Sequence, residues 1–211
     1  MPLRAVIFDL WDTLALWPSD AFEQLKQSLS PHIDDFDHVW NTTYDARQVG
    51  PIADYFRGLG LDDDAVAECL RLRTAFTREA LVPRDGALET LDELERRGFK
   101  RGVISVCSSD VEEIWDETAI AAHVDDVVLS CAVGLSKPDP RIYRLACERL
   151  DVSPEDCLFV GDGANDELAG AERVGMRAVC VLPPGRAVPL WPEARGWEPT
   201  ITSLGDVLAL V

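Results

Sequence analysis

Two hydrophobic rhythms alternate along the latter part of the chain. Short, mostly apolar runs occur at Arg101 to Val106, Val124 to Leu129, Cys157 to Val160 and Ala178 to Leu182. They are too short and too continuous for amphipathic helices, and they predict strands buried on both faces. Between them apolar residues recur at helical spacing. Leu88, Leu91 and Leu94 do so within Gly86 to Arg97, Val111, Ile114 and Trp115 within Asp110 to Thr118, and Ile142, Leu145, Ala146 and Leu150 within Pro140 to Leu150. Asp166 to Val174 and Leu204 to Leu210 read as two more helices, with Gly98 and Gly175 placed as C-terminal caps. Arg4 to Phe8 adds a first strand. Strands separated by helices require crossover connections, which predicts an α/β fold with an open parallel sheet of the Rossmann-like kind. Its ligand site is expected at the C-terminal ends of the strands.

Residues 15–84 follow only the helical rhythm. Ala21 to Leu29, Asp34 to Arg47, Pro51 to Leu59 and Asp62 to Ala80 are helix-like, and Asp34 and Asp62 sit where N-caps are expected. An all-helical block inside an α/β pattern reads as an insertion. The expected division is therefore a core of residues 1–14 and 85–211 and a helical cap of residues 15–84. The cap is hinged near Ala15-Leu16 and near Pro83-Arg84-Asp85 and lies as a lid over the sheet edge. Arg47 and Tyr44 are its candidate cleft-facing groups. The Pro-rich stretch Pro183 to Pro199 is expected to be an ordered surface loop pinned by Trp191 and Trp197.

The chain has 211 residues and 47% hydrophobic content, enough for a sizeable core, and its formal net charge is −18. That charge argues against nucleic acid or an anionic membrane surface as a partner. It leaves room for a small anionic substrate, because a cation and a lysine reverse the sign locally. Six cysteines show no metal-type Cys-x-x-Cys spacing, and Cys157 and Cys180 fall in or beside apolar strands. Without a basic-then-apolar leader or an apolar run of membrane-spanning length, the expected setting is the reduced cytoplasm.

The candidate chemistry sits at the strand ends. Asp9 closes the first strand, where a carboxylate can attack phosphorus or carbon to give an ester that water later cleaves, or can simply cap a turn. Lys137, one of only three lysines beside seventeen arginines, precedes Pro138-Asp139-Pro140. A compact ammonium there neutralises a nucleophile and an incoming anion. Asp162 and Asp166 straddle a strand-to-helix junction in Gly161-Asp162-Gly163-Ala164-Asn165-Asp166. With Asp9 they make an oxygen-rich set suited to Mg²⁺, although Asp166 taken alone also fits a helix start.

Taken together, Phe8-Asp9-Leu10-Trp11-Asp12-Thr13-Leu14, Val103-Ile104-Ser105, Lys137-Pro138-Asp139 and Val160-Gly161-Asp162-Gly163-Ala164-Asn165-Asp166 resemble the motifs of the haloacid dehalogenase-like superfamily, most of whose members are Mg²⁺-dependent phosphatases. The resemblance implies Asp9 as nucleophile and Ser105 and Lys137 as holders of the phosphoryl group. It implies a Mg²⁺ ion held by Asp9, the backbone carbonyl of Trp11, Asp162 and Asp166, and a small phosphorylated substrate. It also marks a departure. The family's phosphatases carry a second Asp two residues after the nucleophile, which protonates the leaving group, and this chain has Trp11 there and an acid one place later, Asp12. The family's dehalogenases carry an aromatic Tyr at that position and typically lack the paired acids of the fourth motif. The leading expectation is a Mg²⁺-dependent phosphatase working through an aspartyl-phosphate. The alternatives are an impaired member that binds a phosphorylated ligand and a 2-haloacid dehalogenase-like hydrolase.

Overall fold

A computed structural model describes residues 2–211. Six parallel strands form one sheet: β1 (Ala5–Phe8), β2 (Lys100–Ser105), β3 (Asp126–Leu129), β4 (Cys157–Gly161), β5 (Arg177–Val181) and β6 (Thr200–Ile201), in the spatial order β3-β2-β1-β4-β5-β6. The sequence reading missed β6, because two residues are too few to show a period. Side chains alternate across the sheet. Val6 and Phe8 of β1 pack with Leu91, Leu94 and Val111 on one side, and Ala5 and Ile7 pack with Ile142, Ala146 and Leu150 on the other. Each face thus buries its own core, as parallel sheets require.

The register fixes what sits at the strand tips. Phe8 lies opposite Val103 of β2 and Val160 of β4. The next residue, Asp9, donates its backbone N–H to the Val160 carbonyl at 2.8 Å. Asp9 therefore projects beyond the central strand, beside the tip of β4.

Residues 15–84, between β1 and β2, hold four α-helices: α1 (Ser19–Leu29), α2 (Phe36–Thr42), α3 (Ile52–Gly58) and α4 (Asp63–Ala80). They enclose a separate apolar cluster that includes Leu25, Leu29, Trp40, Ile52, Phe56 and Phe76. Asp62 caps α4, accepting the Ala65 N–H at 2.9 Å. Asp34 is not a cap. Asp35 precedes α2 in the left-handed region and makes no capping bond. The long helix expected to reach Arg47 ends at Thr42, because the Thr42 and Thr43 hydroxyls bond the His38 and Val39 carbonyls and bend the chain out of helix into a 3₁₀ turn at Asp45–Gln48. The remaining helices are α5 (Ala87–Arg96), α6 (Ser109–Ile114), α7 (Ser130–Val133), α8 (Pro140–Leu150) and α9 (Glu167–Arg173). All six cysteines are free and buried. Among the described residues no helix is long and apolar enough to cross a membrane.

The helical insertion docks on the C-terminal side of the sheet. From α4, Arg73 donates to both carboxylate oxygens of Asp110 at 3.0 Å and to Ser108 Oγ at 2.5 Å, and Thr77 donates to the same carboxylate. The Ile52 N–H bonds Ser109 Oγ, and Gly50 N–H bonds the Cys131 carbonyl. Arg73 and Asp110 are buried, so neither charge has water to fall back on. Burial alone would raise the Asp110 carboxyl, but Arg73, Ser108 and Thr77 outweigh it and hold it below its ordinary value of 3.8. A carboxylate whose folded value is depressed stabilises the protein above its unfolded value and loses that contribution as pH falls through the folded one. Arg73→Ala should therefore lower unfolding free energy by about 3–5 kcal/mol at pH 7, because it strands a buried carboxylate. That penalty should shrink as pH falls towards the depressed value at which Asp110 takes a proton. Denaturant titrations at pH 7 and pH 3.5 read both effects.

Candidate active site

A cavity of about 630 Å³ lies between the helical insertion and the tips of β1, β2 and β4. Its floor carries Asp9, Asp12, Lys137 and Asp162. Three carboxylates, Asp9, Asp162 and Glu167, each present an oxygen within 4.8 Å of the others, and all three are buried. Lys137 Nζ, itself buried, donates to both Asp9 Oδ1 and Glu167 Oε2. Among the described residues no other cationic side chain is paired with these three carboxylates.

Each acid is placed by its local backbone. Asp162 follows β4, where Oδ1 accepts the Ala164 N–H at 3.0 Å and Oδ2 accepts the Trp191 indole N–H at 2.6 Å. Glu167 opens α9 and folds back so that Oε1 accepts the Gly163 N–H at 3.0 Å. A Cβ on Gly161 would stand 2.1 Å from Glu167 Oε1, so only glycine leaves room for this carboxylate. Lys137 comes from the loop between α7 and α8, and nearby Tyr143 donates its hydroxyl to the Glu167 carbonyl at 2.9 Å.

The electrostatics record the crowding. Burial and the neighbouring Asp9 charge push the Asp162 carboxyl up to about 6, against the opposing pull of its hydrogen bonds. Burial, and then Asp9, raise Glu167 well above the ordinary carboxylate range. Burial alone would lower Lys137, but Asp9 and Glu167 outweigh it and keep the ammonium charged. Were all three carboxylates ionised against the one ammonium, the local charge would be −2. A divalent, oxygen-seeking cation matches both that deficit and the donor set.

The sequence-derived residues divide here. Asp9, Lys137 and Asp162 converge, whereas Asp166 does not. Asn165 and Asp166 both adopt left-handed backbone, at φ 55° and 53°, so the turn uses one more residue than expected and the helix starts at Glu167. The Asp166 side chain turns to the surface and pairs with Arg173 at 3.0 Å. Ser105 is wholly buried with an unpartnered Oγ, and Val106, Cys107 and Ser108 form the cavity wall next to it. Trp11 lines the cavity, as do Tyr44 and Arg47, and Arg47 lies 3.9 Å above the Trp40 ring. Asp12 also lines the cavity. Its backbone is left-handed, Oδ1 accepts the Trp17 N–H at 3.0 Å, and burial raises its carboxyl. Sequence reasoning missed Glu167. The signal was there in Asn165-Asp166, the residue types that best tolerate left-handed backbone and so let a turn lengthen by one.

The family described as haloacid dehalogenase-like hydrolase matches residues 3–175. The chain belongs to the haloacid dehalogenase-like hydrolases. Relatives within this family include haloacid dehalogenase-like hydrolase domain-containing protein 3 of Mus musculus, 38% identical over 46% of this chain and 39% of that protein. (S)-2-Haloacid dehalogenase 4A of Burkholderia cepacia is 34% identical over 52% and 46%. Pyrophosphatase PpaX of Bacillus velezensis is 29% identical over 80% and 78%. The chain thus spans less than half the length of the first two. Among solved structures, a HAD phosphatase from Thermococcus onnurineus aligns over 99% of this chain and 97% of its own with a TM-score of 0.74 at 22% identity, and a dehalogenase aligns with a TM-score of 0.68 at 24% identity. Both share the hydrolase fold.

Removing the ammonium tests the charge arrangement. Lys137→Met should destabilise the protein by about 3–5 kcal/mol at neutral pH, since it leaves buried carboxylates uncompensated. Groups whose folded values are raised contribute stability at low pH and lose it as pH rises through those values. The penalty should therefore be larger at pH 8 than at pH 5, as read by thermal denaturation without metal.

Proposed function

We propose that this hydrolase is a Mg²⁺-dependent phosphomonoester hydrolase. The observation that carries the reading is the buried triad Asp9, Asp162 and Glu167 with a single ammonium. Asp9, Asp162, Glu167 and the backbone carbonyl of Trp11 would hold Mg²⁺. Bound there, the ion would neutralise phosphoryl oxygens and let an anionic ester approach an anionic nucleophile. Asp9 attacks phosphorus, the P–O bond to the leaving group breaks, and an aspartyl-phosphate forms. Water then attacks that phosphorus, freeing inorganic phosphate and the Asp9 carboxylate. Lys137 holds the attacking carboxylate in place and offsets its charge. The unpartnered Ser105 hydroxyl is a donor for a phosphoryl oxygen, and Tyr44 and Arg47 flank the substrate from the cap, residues 15–84, which acts as its lid.

A carbon–halogen hydrolase is the second reading, favoured by one observation: an aromatic ring, Trp11, stands two residues after the nucleophile and lines the cavity. The charge deficit favours the phosphatase. A dehalogenating Asp needs no divalent ion, so activity on short 2-haloacids that survives EDTA, without activity on phosphomonoesters, would reverse the choice.

Protonated acids must release their protons to bind a cation. Because Asp162 is pushed up to about 6, displacing its proton should raise Mg²⁺ affinity about fivefold from pH 5 to pH 6 and about tenfold by pH 7, and the raised Glu167 carboxyl should extend the rise to higher pH. Calorimetry in buffers of different ionisation enthalpy should register the released proton. Glu167→Gln should weaken binding by an order of magnitude or more, and Asp166→Ala should leave it unchanged. The reverse pattern would restore Asp166 to the metal site.

Trp11 sets a second expectation. General acid catalysis is worth about 10²–10⁴-fold, and an indole cannot supply it. Esters with good leaving groups should turn over faster than alkyl phosphates. Trp11→Asp should raise turnover of the alkyl esters, and Asp12→Asn should change neither. A loss of several orders of magnitude in Asp12→Asn would assign the proton transfer to Asp12.

A further inference from the structure

A row of aromatic rings runs through the roof of the cavity, beside the cationic side chains Lys26, Arg47 and Arg73. Trp11 meets Trp17 edge-on, with centroids 5.0 Å apart and planes at 86°. Trp17 meets Phe22 at 4.8 Å and Phe76 at 5.7 Å, and Phe22 continues to Trp40 at 6.1 Å. All five rings line the cavity. The row begins two residues from the nucleophile Asp9 and climbs into the helical insertion. Its members are not equally enclosed. Trp40 and Phe76 are 6% and 7% exposed and back the wall, while Trp11, Trp17 and Phe22 are only half-buried at the cavity surface.

A row of half-buried rings is a costly surface to leave against water, and it gains most from covering by a flat apolar body. Trp11 is the ring of this row that belongs to the nucleophile's own turn and lines the cavity with Asp9 and Lys137, so the leaving group of a phosphate ester whose phosphorus faces Asp9 would meet this wall. Two independent features therefore agree. Trp11 removes the acid that an alkyl leaving group needs, and it supplies one end of a stacking surface instead.

We infer that the substrate is the phosphate ester of an aromatic alcohol, a phenol-type or fused-ring aryl phosphate whose ring lies along Trp11, Trp17 and Phe22. This rests on the phosphatase reading. In the reaction the aryl C–O bond stays intact. The P–O bond breaks, the Asp9 O–P bond forms, and the aryloxide leaves with the electron pair and takes its proton from water. An aryloxide is a weak enough base to depart without an acid at position 11. The cavity volume of about 630 Å³ holds a one- or two-ring leaving group.

Binding separates this inference from catalysis. Calorimetry of the Mg²⁺-loaded protein with naphthylmethylphosphonate and with butylphosphonate, neither of which can be hydrolysed, should show the aryl compound binding about tenfold tighter or more. Trp17→Leu and Phe22→Leu keep apolar bulk but remove the rings, and each should bring the ratio towards one while circular dichroism and melting confirm folding. Equal affinities of the wild-type protein for the two phosphonates overturn the aromatic subsite. So does a preference that survives both substitutions. Hydrolysis of naphthyl phosphate and butyl phosphate is measured alongside. Hydrolysis of both esters at the same rate, with equal phosphonate binding, keeps the phosphatase and discards the aryl class. Selective aryl binding with no hydrolysis of either ester keeps the subsite and discards the phosphatase.

Discussion

Uncompensated negative charge at the tips of β1 and β4 is the constraint around which the molecule is arranged. Asp9, Asp162 and Glu167 bring their oxygens within 4.8 Å in a buried setting, and Lys137 supplies one positive charge. Such a cluster is unfavourable by itself, as the raised carboxyls of Asp162 and Glu167 record. It persists because the surroundings hold each group. The parallel register sets Asp9 beside β4, Gly161 leaves space for Glu167, and main-chain N–H groups and the Trp191 indole hold the outer oxygens. Strain of this kind, gathered in one spot and braced on all sides, is what the proposed cation site would require.

The helical insertion answers a different need. It packs over the cavity and is tied down by a buried ion pair, Arg73 with Asp110, on the wall of the same cavity. The interior it presents combines aromatic rings with cationic side chains, Lys26, Arg47 and Arg73, in contrast to the acidic floor. One chamber thus offers a polar end for a phosphoryl group and an apolar end for whatever carries it. Trp11 joins the two, since it belongs to the nucleophile's own turn and packs against the first ring of the cap.

Much of this was legible in the sequence. Continuous apolar runs marked five of six strands, and Asp9 and Asp162 stood at strand ends where a parallel sheet places ligands, with Lys137 reaching them from the loop between α7 and α8. What the sequence concealed was conformational. Asp166 and Glu167 are adjacent acids, and only the left-handed backbone of Asn165 and Asp166 decides which of them turns inward. The Trp191 contact joins residues 29 apart through an irregular loop, and no periodicity reports such a bond. The aromatic row is likewise invisible as a pattern, because Trp11, Trp17, Phe22, Trp40 and Phe76 come from a core turn, a linker and three helices.

The claim that the buried carboxylates form a divalent-cation site is tested most directly by anomalous diffraction from crystals soaked in Mn²⁺ at neutral pH, with the ion standing in for Mg²⁺. The account predicts one strong peak bounded by Asp9 and Asp162, beside Glu167, with no peak at Asp166. A difference map with no ion among these three carboxylates, or an ion held at the Asp166–Arg173 surface instead, would contradict it.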